Sequence, residues 1–191
     1  MNEERQTVRV VRHLQQPPFG ILRVTAECEG VCAVDWDVHL EAENCTGSLD
    51  AGDAAVSRAA AWADAAVQQL CEYFTGLRRG FDVPLVPRGT AFQQAVWAHL
   101  LSIPPGETRT YQQVAAAIGR PRAVRAVGQA NRANPIPILI PCHRVVGSQG
   151  KLVGYAGSQV HLKQYLLTLE QAEPNSWAAD GGPAAGAVGR R

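Results

Sequence analysis

Cys142 and His143 are the adjacent pair in this chain best suited to do chemistry. They lie in Ile140-Pro141-Cys142-His143-Arg144-Val145-Val146, behind the apolar run Ile138-Leu139-Ile140. A free thiol has a pKa of about 8.5 and attacks as its thiolate, so a nucleophilic cysteine needs a neighbouring base or a positive field. His143 and Arg144 are candidates for both. A cysteine behind an apolar run can equally be a small buried hydrophobe. On a regular strand adjacent side chains face opposite ways, so His143 reaches the sulfur only from a bent backbone or through a water. Pro141 favours the bend.

The elements that must place this pair are short helices rich in arginine and small residues. Phe92, Val96, His99 and Leu100 share one face of a helix that Pro104-Pro105-Gly106 ends. Thr110 is positioned to cap a second, from Tyr111 to Ile118, and Gly119 to end it. Pro121 opens a third, from Arg122 to about Ala133, with Val124 and Val127 facing inward. Two short helices joined by a glycine-containing turn make a helix-turn-helix pattern. The third helix carries Arg122, Arg125 and Arg132 among Ala123, Ala126, Gly128 and Ala130. Small side chains let a backbone approach another surface and arginines bind phosphates or base edges, although the same small residues would also suit a tight core. Asn134-Pro135-Ile136-Pro137 cannot prolong the helix, because proline lacks a donor and restricts the residue before it. Asn134 can hold a tight turn there, so the chain runs from the basic helix almost directly to Cys142.

Charge supports a polyanionic partner. Residues 1–107 hold 8 Lys or Arg against 14 Asp or Glu, a net of −6, whereas residues 108–169 hold 8 basic residues and no acidic one. That asymmetry is hidden in a total of +1 and favours nucleic acid on the basic side. With 46% hydrophobic and 18% charged residues in 191, the chain can bury a substantial core. No apolar run approaches the roughly 20 residues that span a bilayer. The acidic start, Met1-Asn2-Glu3-Glu4-Arg5, leads into no signal core, so the expected compartment is the cytoplasm, with all five cysteines as free thiols.

Thr7 to Val11 and Gly20 to Thr25 are β-branched runs around Pro17-Pro18-Phe19-Gly20, which reads as a hairpin, and Val31 to Trp36 as a third strand. Asn44 to Gly52 is loop material. Ala54 to Gly76 has Val56, Ala60, Val67, Leu70 and Phe74 at helical spacing. Cys28 and Cys32 could join His13 or His39 around a metal, but no second ligand pair has a regular zinc spacing, so no metal is expected. A boundary falls near Pro84 to Gly89, giving an N-terminal domain over 1–87 and a C-terminal one over 88–171. Residues 172–191, rich in Gly, Ala and Pro, are expected to be a disordered tail.

Arg88-Gly89-Thr90-Ala91-Phe92-Gln93-Gln94-Ala95-Val96-Trp97, Ile103-Pro104-Pro105-Gly106-Glu107-Thr108, Tyr111-Gln112-Gln113-Val114-Ala115, Arg125-Ala126-Val127-Gly128, Asn134-Pro135, Pro141 to Val146 and Gly154-Tyr155 together resemble the O6-alkylguanine-DNA alkyltransferases. The match runs from about Arg88 to Glu170. The resemblance implies an α+β fold: a small N-terminal antiparallel sheet with a helix, ribonuclease H-like in outline, and a mostly α-helical C-terminal domain with a helix-turn-helix. It implies direct-reversal DNA repair, in which a methyl or small alkyl group on guanine O6 moves to the sulfur of Cys142. O4-alkylthymine is left open as a second substrate. Each molecule would act once and need no cofactor or metal.

By the same resemblance His143 is the base, acting through a water, and Glu170 orients it. Tyr111 donates to the guanine ring, Asn134 braces the cysteine turn, and Tyr155 and Lys163 line the pocket. The target nucleotide must be flipped out of duplex DNA. Arg125 is implied to fill the vacated stack, with Arg122, Ala123, Gly128 and Arg132 on the DNA surface. The helix-turn-helix pattern alone points to the major groove, whereas the resemblance implies the minor groove. A monomer is expected, with cooperative binding along DNA left open. Non-enzymatic relatives lack the cysteine. The rival readings are a regulator whose Cys142 senses redox state or alkylation, and a cysteine hydrolase, which no ordered Cys, His and Asn set supports.

Overall fold

The computed structural model describes residues 8–37, 54–153 and 159–170. Tyr155, His39, the loop at Asn44 to Gly52 and the tail at 172–191 lie outside the described residues. The fold is α+β. Strands β1 (Val10–Gln16), β2 (Gly20–Glu27) and β3 (Gly30–Asp37) form an antiparallel sheet in sequence order. The first strand begins after Val8 and Arg9 and runs on through the polar His13 to Gln16, which pair with Arg23 to Gly20. Here cross-strand pairing, more than β-branched composition, sets the strand's limits.

Leu22, Val24 and Ala26 alternate along β2 and are buried, as period-two patterning requires. Helix α1 (Ala54–Phe74) covers them with Ala59, Ala63, Ala66, Leu70, Tyr73 and Phe74. Its alanines allow a close approach to the sheet, and the aromatic end reaches toward the second half of the chain. Gly76, at φ 77°, follows the helix in the left-handed region that glycine adopts without strain.

Helix α2 (Ala91–Leu100) starts at a capping box in which Thr90 accepts from Gln93 N–H and Gln93 returns a bond to Thr90 N–H. Gly89 before it is obligatory for space, since a Cβ there would stand 2.6 Å from the Trp97 ring. Thr110 and Gln113 repeat the box at helix α3 (Tyr111–Ala117), and Gly119, at φ 71°, ends it. Helix α4 (Val124–Arg132) begins two residues later than its sequence suggests, leaving Arg122 in the preceding turn and Ala123 at the cap. Strand β4 (Arg109–Thr110) pairs in parallel with β5 (Val145–Val146), and helix α5 (Val160–Leu169) closes the described chain. Among the described residues no helix is long and apolar enough to cross a membrane.

One hydrophobic core runs through both halves, joining Phe19, Leu22, Leu70 and Tyr73 to Trp97, Leu100, Val127, Ile136, Cys142, Leu162 and Leu166. Backbone bonds add to it. Val31 N–H donates to Pro84 O and Val86 N–H to Val31 O, and Val34 N–H donates 2.9 Å to Pro135 O. The N-terminal sheet therefore holds the proline-rich turn that leads to Cys142.

Candidate active site

Cys142 opens a 3-10 turn, Cys142–Arg144, so the backbone is bent where Pro141 suggests it. The turn puts Cys142, His143 and Arg144 into the interior together, Cys142 being 4% and His143 0% exposed. Its approach is tightly held. Ile136 N–H donates 3.0 Å to Asn134 Oδ1, and Asn134 Nδ2 donates 2.9 Å to Ile140 O. Ile138 between them adopts φ 75°, a costly state for a β-branched residue that persists only where its surroundings impose it. Asn131, on α4, donates from Nδ2 to Cys142 O at 3.2 Å. The helix bearing the arginines is thereby tied to the peptide bearing the thiol.

His143 Nε2 lies 3.0 Å from Glu170 Oε1. A buried carboxylate accepts, so this nitrogen carries the proton and Nδ1 is left with its lone pair. Among the described residues Nδ1 has no hydrogen-bond partner. Glu170 also receives Arg144 Nε–H at 2.9 Å and Nη2–H at 2.7 Å, together with the Tyr73 hydroxyl at 2.8 Å. Arg144 Nη1 donates to Ile103 O. Burial pushes the Glu170 carboxyl up, but the His143 and Arg144 charges and bonds outweigh it and hold the group well below the usual carboxylate range. Arg144 is committed to Glu170; the cation whose charge acts on the thiol is Lys163.

Lys163 is fully buried on α5, and its ammonium donates to Val145 O and, at 3.3 Å, to Val153 O. It stands 5.9 Å from the centroid of the Tyr111 ring. The Tyr111 hydroxyl donates to the same Val153 carbonyl at 3.3 Å. Burial lowers the Lys163 ammonium to about 8, partly opposed by the Cys142 charge. Burial, with the Cys142 charge, raises the Tyr111 phenol to about 12, so it is a proton donor across the neutral range.

Desolvation also raises the Cys142 thiol, although Asn134 and Lys163 pull the other way, and it lowers His143 despite Glu170. At neutral pH both groups are uncharged. The thiol and the imidazole follow one another on the same turn, and the free Nδ1 lone pair can take the thiol proton directly or through a water; Lys163 then favours the sulfur anion and Glu170 the imidazolium.

The remaining described candidates lie on and just before α4. Arg122, Arg125 and Arg132 are exposed on and before α4, with Ala123 and Gly128 half-buried among them. A Cβ on Gly128 would meet nothing within 4 Å, so the surface there is open. The exposed face of α4 is Arg125, Ala126, Gln129 and Arg132, and Trp97 Nε1 braces its far end by donating 2.8 Å to Ala130 O. Tyr73 and Asn131 lie in none of the stretches that carry the resemblance, though Asn131, a polar residue at an inward helical position, could have been suspected; Trp97 closes one of those stretches, which does not show its bond to α4. Among the described residues no group of His, Cys, Asp and Glu side chains could hold a metal, and Cys28, Cys32 and Cys71 are free thiols.

Known proteins share this chain's sequence and fold. Residues 91–172 match the family model described as the DNA binding domain of 6-O-methylguanine DNA methyltransferase. The constitutive methylated-DNA–protein-cysteine methyltransferase of Bacillus subtilis is 56% identical over 106 residues, which are 56% of this chain and 64% of that protein. The matched segment thus spans somewhat less than two thirds of that relative. The crystal structure of the Mycobacterium tuberculosis O6-methylguanine methyltransferase superposes with a TM-score of 0.69 at 40% identity, covering 86% of this chain and 93% of that one. A structure of the M. tuberculosis protein OGT in complex with DNA superposes at 0.68 and 41% identity, covering 84% and 92%. Alike in sequence and in fold to these proteins, the chain belongs to the methylated-DNA–protein-cysteine methyltransferase family.

Proposed function

We propose that this protein repairs DNA by moving a methyl or small alkyl group from guanine O6 to its own Cys142, once per molecule. The observation that carries the reading is the joining of two unlike features by one bond, Asn131 Nδ2 to Cys142 O. On one side is a buried thiol with its base; on the other is a helix face of arginines and small residues.

In this reading α3 and α4 form a helix-turn-helix within a DNA-binding and alkyl-acceptor domain over 88–171, beside an N-terminal domain over 1–87 of ribonuclease H-like outline. The open strip at Ala123, Ala126 and Gly128 lets α4 settle into the minor groove of duplex DNA while Arg122 and Arg132 meet phosphates. Arg125 occupies the space of the flipped nucleotide, whose extrusion costs a few kcal/mol. The everted base is received beside Tyr111, Tyr155 and Lys163. The protein acts as a cytoplasmic monomer.

The Cys142 proton passes to His143 Nδ1, directly or through one water, while Glu170 holds the imidazole by Nε2–H. The sulfur forms a bond to the alkyl carbon as the carbon–O6 bond breaks, and the electron pair goes to the guanine ring. Tyr111 gives its hydroxyl proton to the ring as that charge develops, so the base leaves as neutral guanine, and the phenolate regains a proton from the His143 imidazolium by way of solvent, which returns the imidazole to its neutral form. Lys163 stabilises the sulfur anion until the thioether forms. Asn134 keeps the turn in place throughout. The protein itself is the acceptor, so the reaction uses no cofactor. The test is stoichiometric: with excess duplex containing O6-methylguanine, repaired guanine should plateau at one per protein molecule. Continued turnover, or no repair, would reject the reading.

A further inference from the structure

Tyr73 belongs to α1, far from the thiol in sequence, yet its hydroxyl enters the charged cluster, and the mechanism above gives it no part. The ring is fixed: it is 2% exposed, packed edge-on to Phe74 at 5.5 Å and tilted against Phe81 at 5.3 Å. Its hydroxyl donates 2.8 Å to Glu170 Oε1 across 97 residues. The same oxygen receives His143 Nε2–H at 3.0 Å and Arg144 Nη2–H at 2.7 Å. A carboxylate oxygen offers two lone-pair sites, so three donors on Oε1 share what two would fill. Of the three, the bond to His143 is the longest.

We propose that Tyr73 is a positioning residue for alkyl transfer: its hydroxyl competes with His143 for Glu170 Oε1 and limits how tightly the carboxylate grips the imidazole. This rests on the reading of Cys142 as acceptor and His143 as base. A looser grip keeps the imidazole neutral, with Nδ1 able to take a proton. A tighter grip would favour the imidazolium and remove the base. The other groups bearing on this balance are Arg144 from the same turn and Lys163 from α5, both of which oppose charge on His143. Cys142 precedes His143 on the same turn, and Tyr165 on α5 bears on Tyr73 itself. None of them is changed by substituting Tyr73.

The experiment uses the full chain with Tyr73→Phe, which keeps the ring and removes only the hydroxyl. NMR titration of the His143 imidazole in unreacted protein is paired with the pH profile of single-turnover transfer from an O6-methylguanine duplex. Both the imidazole midpoint and the acid-side limb should move up by about half a pH unit or more, about a threefold rise in proton affinity. Site-specific 3-fluorotyrosine at position 73, a stronger donor on an intact scaffold, should move both down. Midpoints unmoved in the folded Phe variant overturn the proposal. Should that variant fail to fold, a fluorotyrosine protein with an unmoved midpoint overturns it. If the wild-type protein transfers no methyl group, the proposed function fails, while the imidazole titration still decides whether Tyr73 competes for Oε1.

Discussion

Replacing Glu170 by glutamine removes one charge from the centre of the molecule and almost no volume. The carboxylate is 2% exposed and faces Arg144 through two hydrogen bonds, at 2.9 and 2.7 Å. Removing one partner of a buried pair strands the other charge at a cost of about 3–5 kcal/mol. Glutamine keeps one acceptor oxygen for Tyr73, His143 and Arg144 to share, so the lower end, about 3 kcal/mol, applies. For a chain of this size that is a fall in Tm of roughly 6–12 °C. The pH dependence follows from the depressed folded-state value. A carboxyl with a pKa of about 4.3 when unfolded contributes stability that is fully present above that pH and is lost as pH falls toward the folded value. Thermal melts of Glu170→Gln and wild type should therefore differ most near pH 7 and converge below about pH 4. Replacing Arg144 and Glu170 together by Met and Leu should recover much of the stability without recovering transfer, because a buried pair often contributes little over an apolar one. A Tm loss under about 2 °C for Glu170→Gln at pH 7, or a gap that widens in acid, would refute this electrostatic account.

Other outcomes follow from the same geometry. Gly128→Ala should raise stability by about 0.5–1 kcal/mol, since a Cβ there meets nothing and glycine weakens a helix interior; it should also weaken duplex binding severalfold by gel shift if α4 seats its small residues on DNA. Arg125→Ala should slow transfer from duplex DNA far more than from the free alkylated base, measured by single-turnover rates on both. Lys163, lowered to about 8 when folded against about 10.4 unfolded, binds more protons in the unfolded chain between those values. Wild-type stability should therefore rise relative to Lys163→Met as pH increases from 8 to 10, read by chemical denaturation at each pH.

The short helices were legible because their punctuation is chemical: Thr110 caps, Gly119 stops, and prolines forbid continuation. Asn134 before proline likewise signals the turn that its side chain closes by bonding Ile136 and Ile140. Cys142 and His143 announced themselves by type. What escaped was set by tertiary packing. Tyr73, in Leu70-Cys71-Glu72-Tyr73-Phe74, carries the apolar spacing of any core helix, and nothing local distinguishes a hydroxyl that meets Glu170 from one that meets solvent. The resemblance alone places Lys163 at the pocket; what its helix does not show is its full burial, with two backbone carbonyls receiving the ammonium where a polar position would ordinarily face water. Ile138 at φ 75° runs against its own preference and is held by the turn around it. The first strand departed from its composition for a related reason, extending to wherever β2 offered partners.

The claim beneath all of this is that the Cys142 sulfur is the alkyl acceptor. Peptide mass mapping after exposure to duplex DNA bearing O6-methylguanine tests it most directly. The account predicts one methyl group, on the peptide containing Cys142, with the other four cysteines unmodified and with Cys142→Ser protein taking up none. A methyl group on another residue, or an unmodified Cys142 in protein that has repaired its DNA, would contradict it.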